Sequence, residues 1–294
     1  MVGSLVPRDG RALVVANGVY GERIAAMLQA HGKTHEVIAS PWTDAMDLPA
    51  VERRLAASPR VTHVLAVHHE TTTGRLNDVA GLGALCRRFD AALLLDAVSS
   101  FGGETIAFDE WGLEACAATA NKCLHGAPGA SFVLARRTAL ETRASGATTL
   151  YLDLHRYHAE QRRGSSPFTP PVHVCHALAE ALREMEDEGG WSRRHARYRA
   201  LSEHVFGGLR AQGVSPLLPI DSPSSAVLTA YRMPEGLAYG GFHDFLKQEG
   251  FVIYAGQGRL SGDVFRIAVM GELDAQDMDR LLAACRRYWR EAPR

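Results

Sequence analysis

The stretch "EACAATANKCLHGAPGASFVLARR" (114–137) places one lysine, Lys122, between two short apolar runs. The runs 114–120 and 130–137 have the length and composition of buried strands. The "GAPG" turn at 126–129 separates them, because glycine and proline supply the backbone angles that a reversal needs. A lysine on a solvated face usually sits among other charges. Lys122 instead has Asn121 before it and Cys123 after it. It is therefore either an isolated surface charge or a reactive amine held at the end of a strand.

Upstream, the pattern repeats. "AALLLDA" (91–97) predicts a strand with Asp96 at its end, "VTHVLAVHHE" (61–70) a buried strand, and "RALVVAN" (11–17) another. Between them "GERIAAMLQAHG" (21–32) and "NDVAGLGALCRRF" (77–89) have helical spacing. Strands alternating with helices define an α/β fold with a mainly parallel sheet. The Gly-x-Gly in "GLGALC" (81–86) falls inside a helical pattern, not between strand and helix, so it is not read as a dinucleotide fingerprint.

Downstream the character changes. "YLDLHRYHAEQRRGSSPFTPP" (151–171) reads as loop-rich, followed by helices at 172–188 and 190–212. Strands are predicted at 225–233, 251–256 and 264–271, and helices at 241–250 and 274–291. This is the pattern of a smaller α+β C-terminal domain. The expected division is a large domain over 1–188 and a connecting helix with the small domain over 189–294.

Composition narrows the function classes. The 294 residues are 46% hydrophobic and 22% charged, with a formal net charge of -1. No basic excess points to nucleic acid or an anionic membrane surface. The five cysteines (Cys86, Cys116, Cys123, Cys175, Cys285) are scattered and odd in number. That favours a reduced, cytoplasmic chain over a disulfide framework or a zinc site. No apolar run reaches membrane-spanning length, and the first residues lack the basic-then-apolar order of a signal peptide.

In open parallel sheets ligands bind beyond the carboxyl ends of the strands. Three stretches are predicted there: "HHETTTG" (68–74), "DAVSSFGG" (96–103) and "TANKC" (119–123). A carboxylate and a lysine on neighbouring strand ends suit pyridoxal phosphate. The lysine supplies the Schiff-base amine, and the carboxylate keeps the pyridine nitrogen protonated. Taken singly, Asp96 also reads as a turn former and Lys122 as an exposed charge. His68, His69 and Glu70 make a poor metal chelate, since adjacent strand residues point to opposite faces; no metal site is expected.

Together the three stretches, with "YLDL", "PFTPP", "FVIYAG" and "FRIAVMGE", resemble the class V aminotransferases of pyridoxal phosphate fold type I. Within that class they are similar to the 2-aminoethylphosphonate:pyruvate aminotransferase family. The resemblance implies a homodimeric enzyme that exchanges an amino group between a small amine and a 2-oxo acid. It implies that Lys122 forms the Schiff base and Asp96 partners the pyridinium. Thr73, or a neighbour in 71–73, would lie near the cofactor's ring oxygen. Arg266 would bind the substrate carboxylate, and Thr169 would reach the cofactor phosphate of the other subunit. Arg75, Arg156, Arg162 and Arg163 are all candidates for the phosphonate, none privileged. An alanine–glyoxylate or serine–pyruvate type of activity, or a silent chain kept as a binding partner, are the alternatives.

Two departures from the family pattern stand near the substrate side. Gln257 occupies a position where the family has lysine, and "FRIAVMG" replaces "FRIGNIG". A third lies at the start. The family's "GSGT" phosphate loop precedes the segment corresponding to "MVGSLVPRDG" (1–10), so the expectation is a chain that begins at the end of the following helix and binds its cofactor weakly.

Overall fold

The computed structural model describes residues 1–291. A short helical turn α1 (Val2–Leu5) leads into β1 (Arg11–Ala16), α2 (Val19–Ala30), β2 (Thr34–Ala39), α3 (Leu48–Ala56) and β3 (His63–Val67). A hairpin of two-residue strands follows, β4 (His69–Glu70) and β5 (Arg75–Leu76), then α4 (Val79–Arg88), β6 (Ala92–Asp96), β7 (Leu113–Thr119) and β8 (Ser131–Ala135). The six-stranded sheet has the order β2-β1-β3-β6-β7-β8. All pairings are parallel except the last, β7 with β8.

The central strands are apolar throughout because helices cover both faces. Alternate residues serve opposite layers. Leu13, Val64, Leu93 and Leu95 meet Val51 and Leu55 of α3 and Val79 and Leu82 of α4. Val14, Leu65 and Leu94 meet Ile24 and Leu28 of α2 together with Val2 and Leu5. The helices start where the sequence supplies caps: the Asp47 carboxylate accepts from the Ala50 N–H (2.8 Å) and Asp78 from the Gly81 N–H (2.8 Å). These contacts satisfy amide groups that an α-helix leaves unpaired at its start. Gly83, in the supposed Gly-x-Gly, lies within α4, where a side chain would collide with the Trp111 carbonyl oxygen at 2.0 Å.

Beyond the sheet come α5 (Arg137–Glu141), α6 (Leu154–Gln161), α7 (Val172–Asp187), the long α8 (Trp191–Ala211), β9 (Leu228–Arg232), α9 (Tyr239–Gln248), β10 (Tyr254–Ala255), β11 (Val264–Ala268) and α10 (Ala275–Glu291). The antiparallel sheet β10-β11-β9 packs through Tyr231, Phe265 and Ile267 onto Val205 of α8, Phe242 of α9 and Leu281 of α10. Cys123, from the lysine turn, is part of this second core.

Three expectations need correction. The stretch 151–171 contains a helix, α6, whose N-terminus is capped by the Asp153 carboxylate. The strand expected over 61–70 breaks at His68, because the chain turns there to form the β4–β5 hairpin. The strand expected over 251–256 shrinks to Tyr254–Ala255, which pairs only along the edge of β11.

Candidate active site

The connections after β1, β3, β6 and β7 leave the same edge of the sheet, since these four strands are parallel. That edge brings together Gly18–Tyr20, His68–Gly74, Asp96–Ser100 and Asn121–His125. Asp96 is the last residue of β6, in register with Val67 of β3 and Ala117 of β7. Its Oδ1 accepts the Val98 N–H (2.9 Å). Burial pushes its carboxyl above the ordinary value, opposed by the Val98 N–H and by the charge of Arg23.

Two buried histidines flank this carboxylate. His68 bonds through Nδ1 to Ser100 Oγ (3.0 Å) and lies edge-on to Trp111, with ring centroids 5.2 Å apart. Burial pushes its pKa down to about 3. His69 Nδ1 lies 3.2 Å from the Ser99 carbonyl oxygen, which a protonated Nδ1 reaches as donor. Burial lowers His69 to about 4, opposed by that Ser99 contact and aided by the charge of Lys122. Its Nε2 is buried without a partner. The same Ser99 carbonyl accepts from Cys123 Sγ (3.6 Å), so His69 and the lysine turn meet at one backbone oxygen.

Lys122 is half-buried. It lines a cavity of about 1090 Å³ shared with His125, Glu188, Arg194, Arg197 and Gly271.

The "ETTTG" segment does two different jobs. Glu70 is fully buried and receives the Gly21 N–H (3.3 Å) at Oε2, while Thr72 Oγ1 donates to its Oε1 (2.6 Å) and accepts the Val19 N–H (3.1 Å). These side chains cap α2. Gly18 is required because an added Cβ would stand 2.3 Å from the Glu70 carboxyl carbon. Thr73 is also buried, with its Oγ1 unpartnered, and lines a separate cavity of about 180 Å³ with Ser202 and Thr229. Thr71 is the member of the run that remains half-buried at the cleft.

Arg266, on β11, donates through Nε to the Ala255 carbonyl (2.9 Å) and through Nη1 to the Thr71 carbonyl (3.0 Å). The guanidinium fork is thereby fixed across two chain segments. Beside it Gln257 Nε2 donates to the Tyr20 hydroxyl (3.1 Å), and Thr72 Oγ1 reaches Gln257 Oε1 (3.4 Å). The Arg23 guanidinium lies 4.7 Å from the centre of the Tyr20 ring. Burial acts to raise the Tyr20 phenol, but hydrogen bonds to Gln257 and Thr71 and the charges of Arg23 and Arg266 bring it below its ordinary value.

Sequence reasoning passed over Tyr20 and Arg23, and named Thr71 only as a neighbour of Thr73. The signal was the paired glycines of "NGVYG" (17–21), which mark a tight strand-to-helix connection. Thr169 sits on the exposed connection between α6 and α7. The candidate phosphonate arginines each have a partner within the chain. Arg75 is buried and bonds to the Thr43 carbonyl. Arg156 stacks 5.2 Å over Phe168. Arg162 pairs with Glu141 (3.0 Å) and Arg163 with Glu160 (3.2 Å).

The arrangement fits the ring of pyridoxal phosphate. Asp96 is a half-buried carboxylate with no salt-bridge partner among the described residues, the situation in which a protonated ring nitrogen is the natural partner. Lys122 follows the adjacent strand. An α/β sheet with this strand-end set defines a fold-type-I pyridoxal phosphate enzyme, and the sequence profile of the class-V aminotransferases (Aminotransferase class-V) matches residues 4–259. The chain belongs to that family and is a pyridoxal phosphate-dependent transaminase.

Among its relatives, the 2-aminoethylphosphonate–pyruvate transaminase of Vibrio vulnificus (strain CMCP6) is 38% identical over 297 residues, covering 99% of this chain and 80% of that protein. The Aeromonas hydrophila protein of the same name is 39% identical over 295 residues, covering 98% and 77%. Among solved structures, pyridoxamine–pyruvate aminotransferase from Mesorhizobium loti superposes with a TM-score of 0.91 at 28% identity, covering 100% of this chain and 76% of that one. Alanine–glyoxylate aminotransferase from Nostoc sp. gives 0.89 at 28%, covering 98% and 77%. Among the described residues no helix is long and apolar enough to cross a membrane.

Proposed function

We propose that this chain transfers the amino group of 2-aminoethylphosphonate to pyruvate, or runs the reverse reaction. The observation that carries the reading is the Arg266 fork, pinned by Ala255 and Thr71 where the second sheet faces the Asp96–Lys122 edge. It is supported by the relatives of that name at 38–39% identity. Bound pyridoxal phosphate supplies the electron sink for amino-group exchange. Lys122 would hold the cofactor through its amine, and its Nζ would move the proton to and from the amine-bearing carbon of the substrate. The Asp96 carboxylate holds a proton on the ring nitrogen. Thr71, rather than Thr73, offers a hydroxyl to the ring oxygen. Arg266 takes the carboxylate of pyruvate or alanine as a bidentate partner.

The same reading divides the chain at Glu188 into a large and a small domain, places it in the cytoplasm, and makes it a homodimer. Exposed Leu150, Tyr151, Leu152 and Val172 flank the region carrying Thr169 and suit an interface with a second copy. Thr169 then contacts the partner's cofactor phosphate. Light scattering should give twice the chain mass.

A second reading, an alanine–glyoxylate type of transaminase, is favoured by the neutral Gln257 and by the likeness to the Nostoc structure. One panel separates the two: initial rates with 2-aminoethylphosphonate, alanine and serine as donors against pyruvate and glyoxylate. Fast alanine–glyoxylate exchange with no rate on 2-aminoethylphosphonate would overturn the first reading.

A further inference from the structure

The Lys122 turn is held from outside by one helix. The turn is closed by the His125 N–H on the Lys122 carbonyl (2.9 Å) and the Gly126 N–H on the Ala120 carbonyl (2.8 Å). To make it, His125 adopts φ +64°, in the left-handed region that a non-glycine residue rarely enters. Such a conformation persists only where surrounding contacts over-determine it.

Those contacts come from consecutive turns of α8. Arg194 is 2% exposed and faces the turn. Its Nη1 donates to the Cys123 carbonyl (2.8 Å) and its Nε to Glu188 Oε2 (2.7 Å). One turn along, Tyr198 bonds through its hydroxyl to His125 Nε2. Burial raises the phenol pKa above its ordinary value and lowers that of the imidazole, so the hydroxyl is the donor.

The third contact reaches the other side of the site. Arg197 donates through Nε to Glu188 Oε1 (3.0 Å) and through Nη1 to the Gly271 carbonyl (2.8 Å). Gly271 lies five residues after Arg266, on the exit from β11. Glu188 thus joins two guanidiniums, one on the lysine turn and one on the chain leaving the Arg266 strand. A buried arginine needs its hydrogen bonds satisfied, and here two of its nitrogens are committed to fixed oxygens.

We propose that Arg194 is a positioning residue for Lys122: with Glu188 and Tyr198 it locks the strained lysine turn onto α8 and fixes the direction of the Lys122 side chain relative to the Arg266 strand. The inference rests on Lys122 being the reactive amine. Arg194 acts through the Cys123 carbonyl and Glu188, to which its Nη1 and Nε are committed.

The test uses the lysine inventory. The chain has three lysines, Lys33, Lys122 and Lys247, of which Lys33 is buried and Lys247 exposed. The cofactor-free protein is treated with a water-soluble acylating reagent, and the Lys122:Lys247 labelling ratio is read by peptide mapping. Arg194→Met should raise that ratio about tenfold, the scale of one lost charge-assisted hydrogen bond. Arg194→Lys should restore it to within about threefold of the parent, because an ammonium can still reach one carbonyl. In the loaded enzyme Arg194→Met should lower kcat about a hundredfold with KM little changed, as expected when a reacting group is misplaced by about 1 Å.

If Arg194→Met does not fold, Tyr198→Phe removes the hydroxyl's bonds to His125 and to the Gly271 backbone while keeping the ring, and should raise the ratio about threefold. Folded variants with unchanged labelling ratios would overturn the inference and leave Arg194 a packing residue. Borohydride reduction in the presence of pyridoxal phosphate separates the two levels: cofactor mass on Lys122 with an unchanged ratio removes only the Arg194 role, whereas cofactor mass on Lys33 or Lys247 removes the active-site reading beneath it.

Discussion

Lys33 and Lys122 occupy opposite edges of one parallel sheet, and in sequence they look alike. Each stands among small or turn-forming residues, "HGKT" (31–34) and "ANKC" (120–123). Lys33 enters β2 at the amino edge and is 4% exposed, with its amine donating to the carbonyls of Val6 (2.8 Å) and Gly146. Burial lowers its pKa, and the nearby charge of Arg8 adds to this. Lys122 leaves β7 at the carboxyl edge, half-buried and opening on a large cavity. A lysine near a turn is therefore not a reactive lysine by context. At the amino edge backbone carbonyls occupy the amine; at the carboxyl edge the loops diverge and leave room for a ligand.

The sharpest way to break this comparison is to remove each amine. On the proposed reading Lys122→Ala should lower transamination by about 10⁴-fold or more, since it would delete both the nucleophile and the proton carrier, while thermal unfolding changes little. Steady-state rates beside calorimetry check both halves. A rate near that of the parent would return Lys122 to the class of surface charges. Asp96→Asn comes next: on the same reading the ring nitrogen would lose its anionic partner, and the rate should fall about 10²–10³-fold with the fold intact.

Lys33→Met should show the reverse pattern. It strands two carbonyl acceptors at roughly 1–3 kcal/mol each, so denaturant midpoints should drop while the folded fraction keeps its rate within about twofold. Loss of rate in folded Lys33→Met would erase the distinction between the two edges.

The carboxyl edge should also be the acid-sensitive one. His68 and His69 titrate near 3 and 4 in the folded chain, below the ordinary histidine value of about 6.5. The unfolded chain therefore binds more protons across that interval. Stability is fully present above pH 6.5 and falls as pH drops toward 4, at up to about 1.4 kcal/mol per pH unit for each imidazole. His69→Gln should flatten part of the slope of unfolding free energy between pH 7 and 5, and an unchanged slope would count against its buried neutral state.

The smallest expected effect is at the mouth. Gln257→Lys places a cation beside Tyr20 and Arg266 and should shift donor preference toward the more anionic amine by less than about tenfold. Competition assays with 2-aminoethylphosphonate and alanine would measure it.

Much of the sheet was legible because its strands are buried on both faces and read as unbroken apolar runs. Edge strand β2 was not, since "THEVIA" alternates exposed and half-buried positions at the sheet margin. Helix α6 was hidden by its loop-like surroundings, in a stretch with three prolines; it has no buried residue to set a period.

The candidate site divides in the same way. Asp96 and Lys122 were readable from sequence, because each ends or follows a strand and strand direction alone places both on one edge. The division of labour within "ETTTG" was not. Three consecutive threonines are equivalent as letters, and only the hairpin turn buries Thr72 and Thr73 while leaving Thr71 at the cleft. The corner of Tyr20, Gln257 and Arg266 joins residues as many as 246 positions apart, and no local pattern encodes such a contact. Arg194 is the extreme case. In "GGWSRRHARY" (189–198) it reads as one of several surface arginines. Its burial against Glu188 and the Cys123 carbonyl exists only once α8 has packed across the end of the sheet. The sequence by itself placed Asp96 and Lys122 at strand ends, because alternating apolar runs and helices imply a mainly parallel sheet whose strand ends share one edge. Tertiary packing decided which side chains face that cleft and which hold it in place, because those choices depend on burial and hydrogen bonding between segments that sequence distance keeps apart.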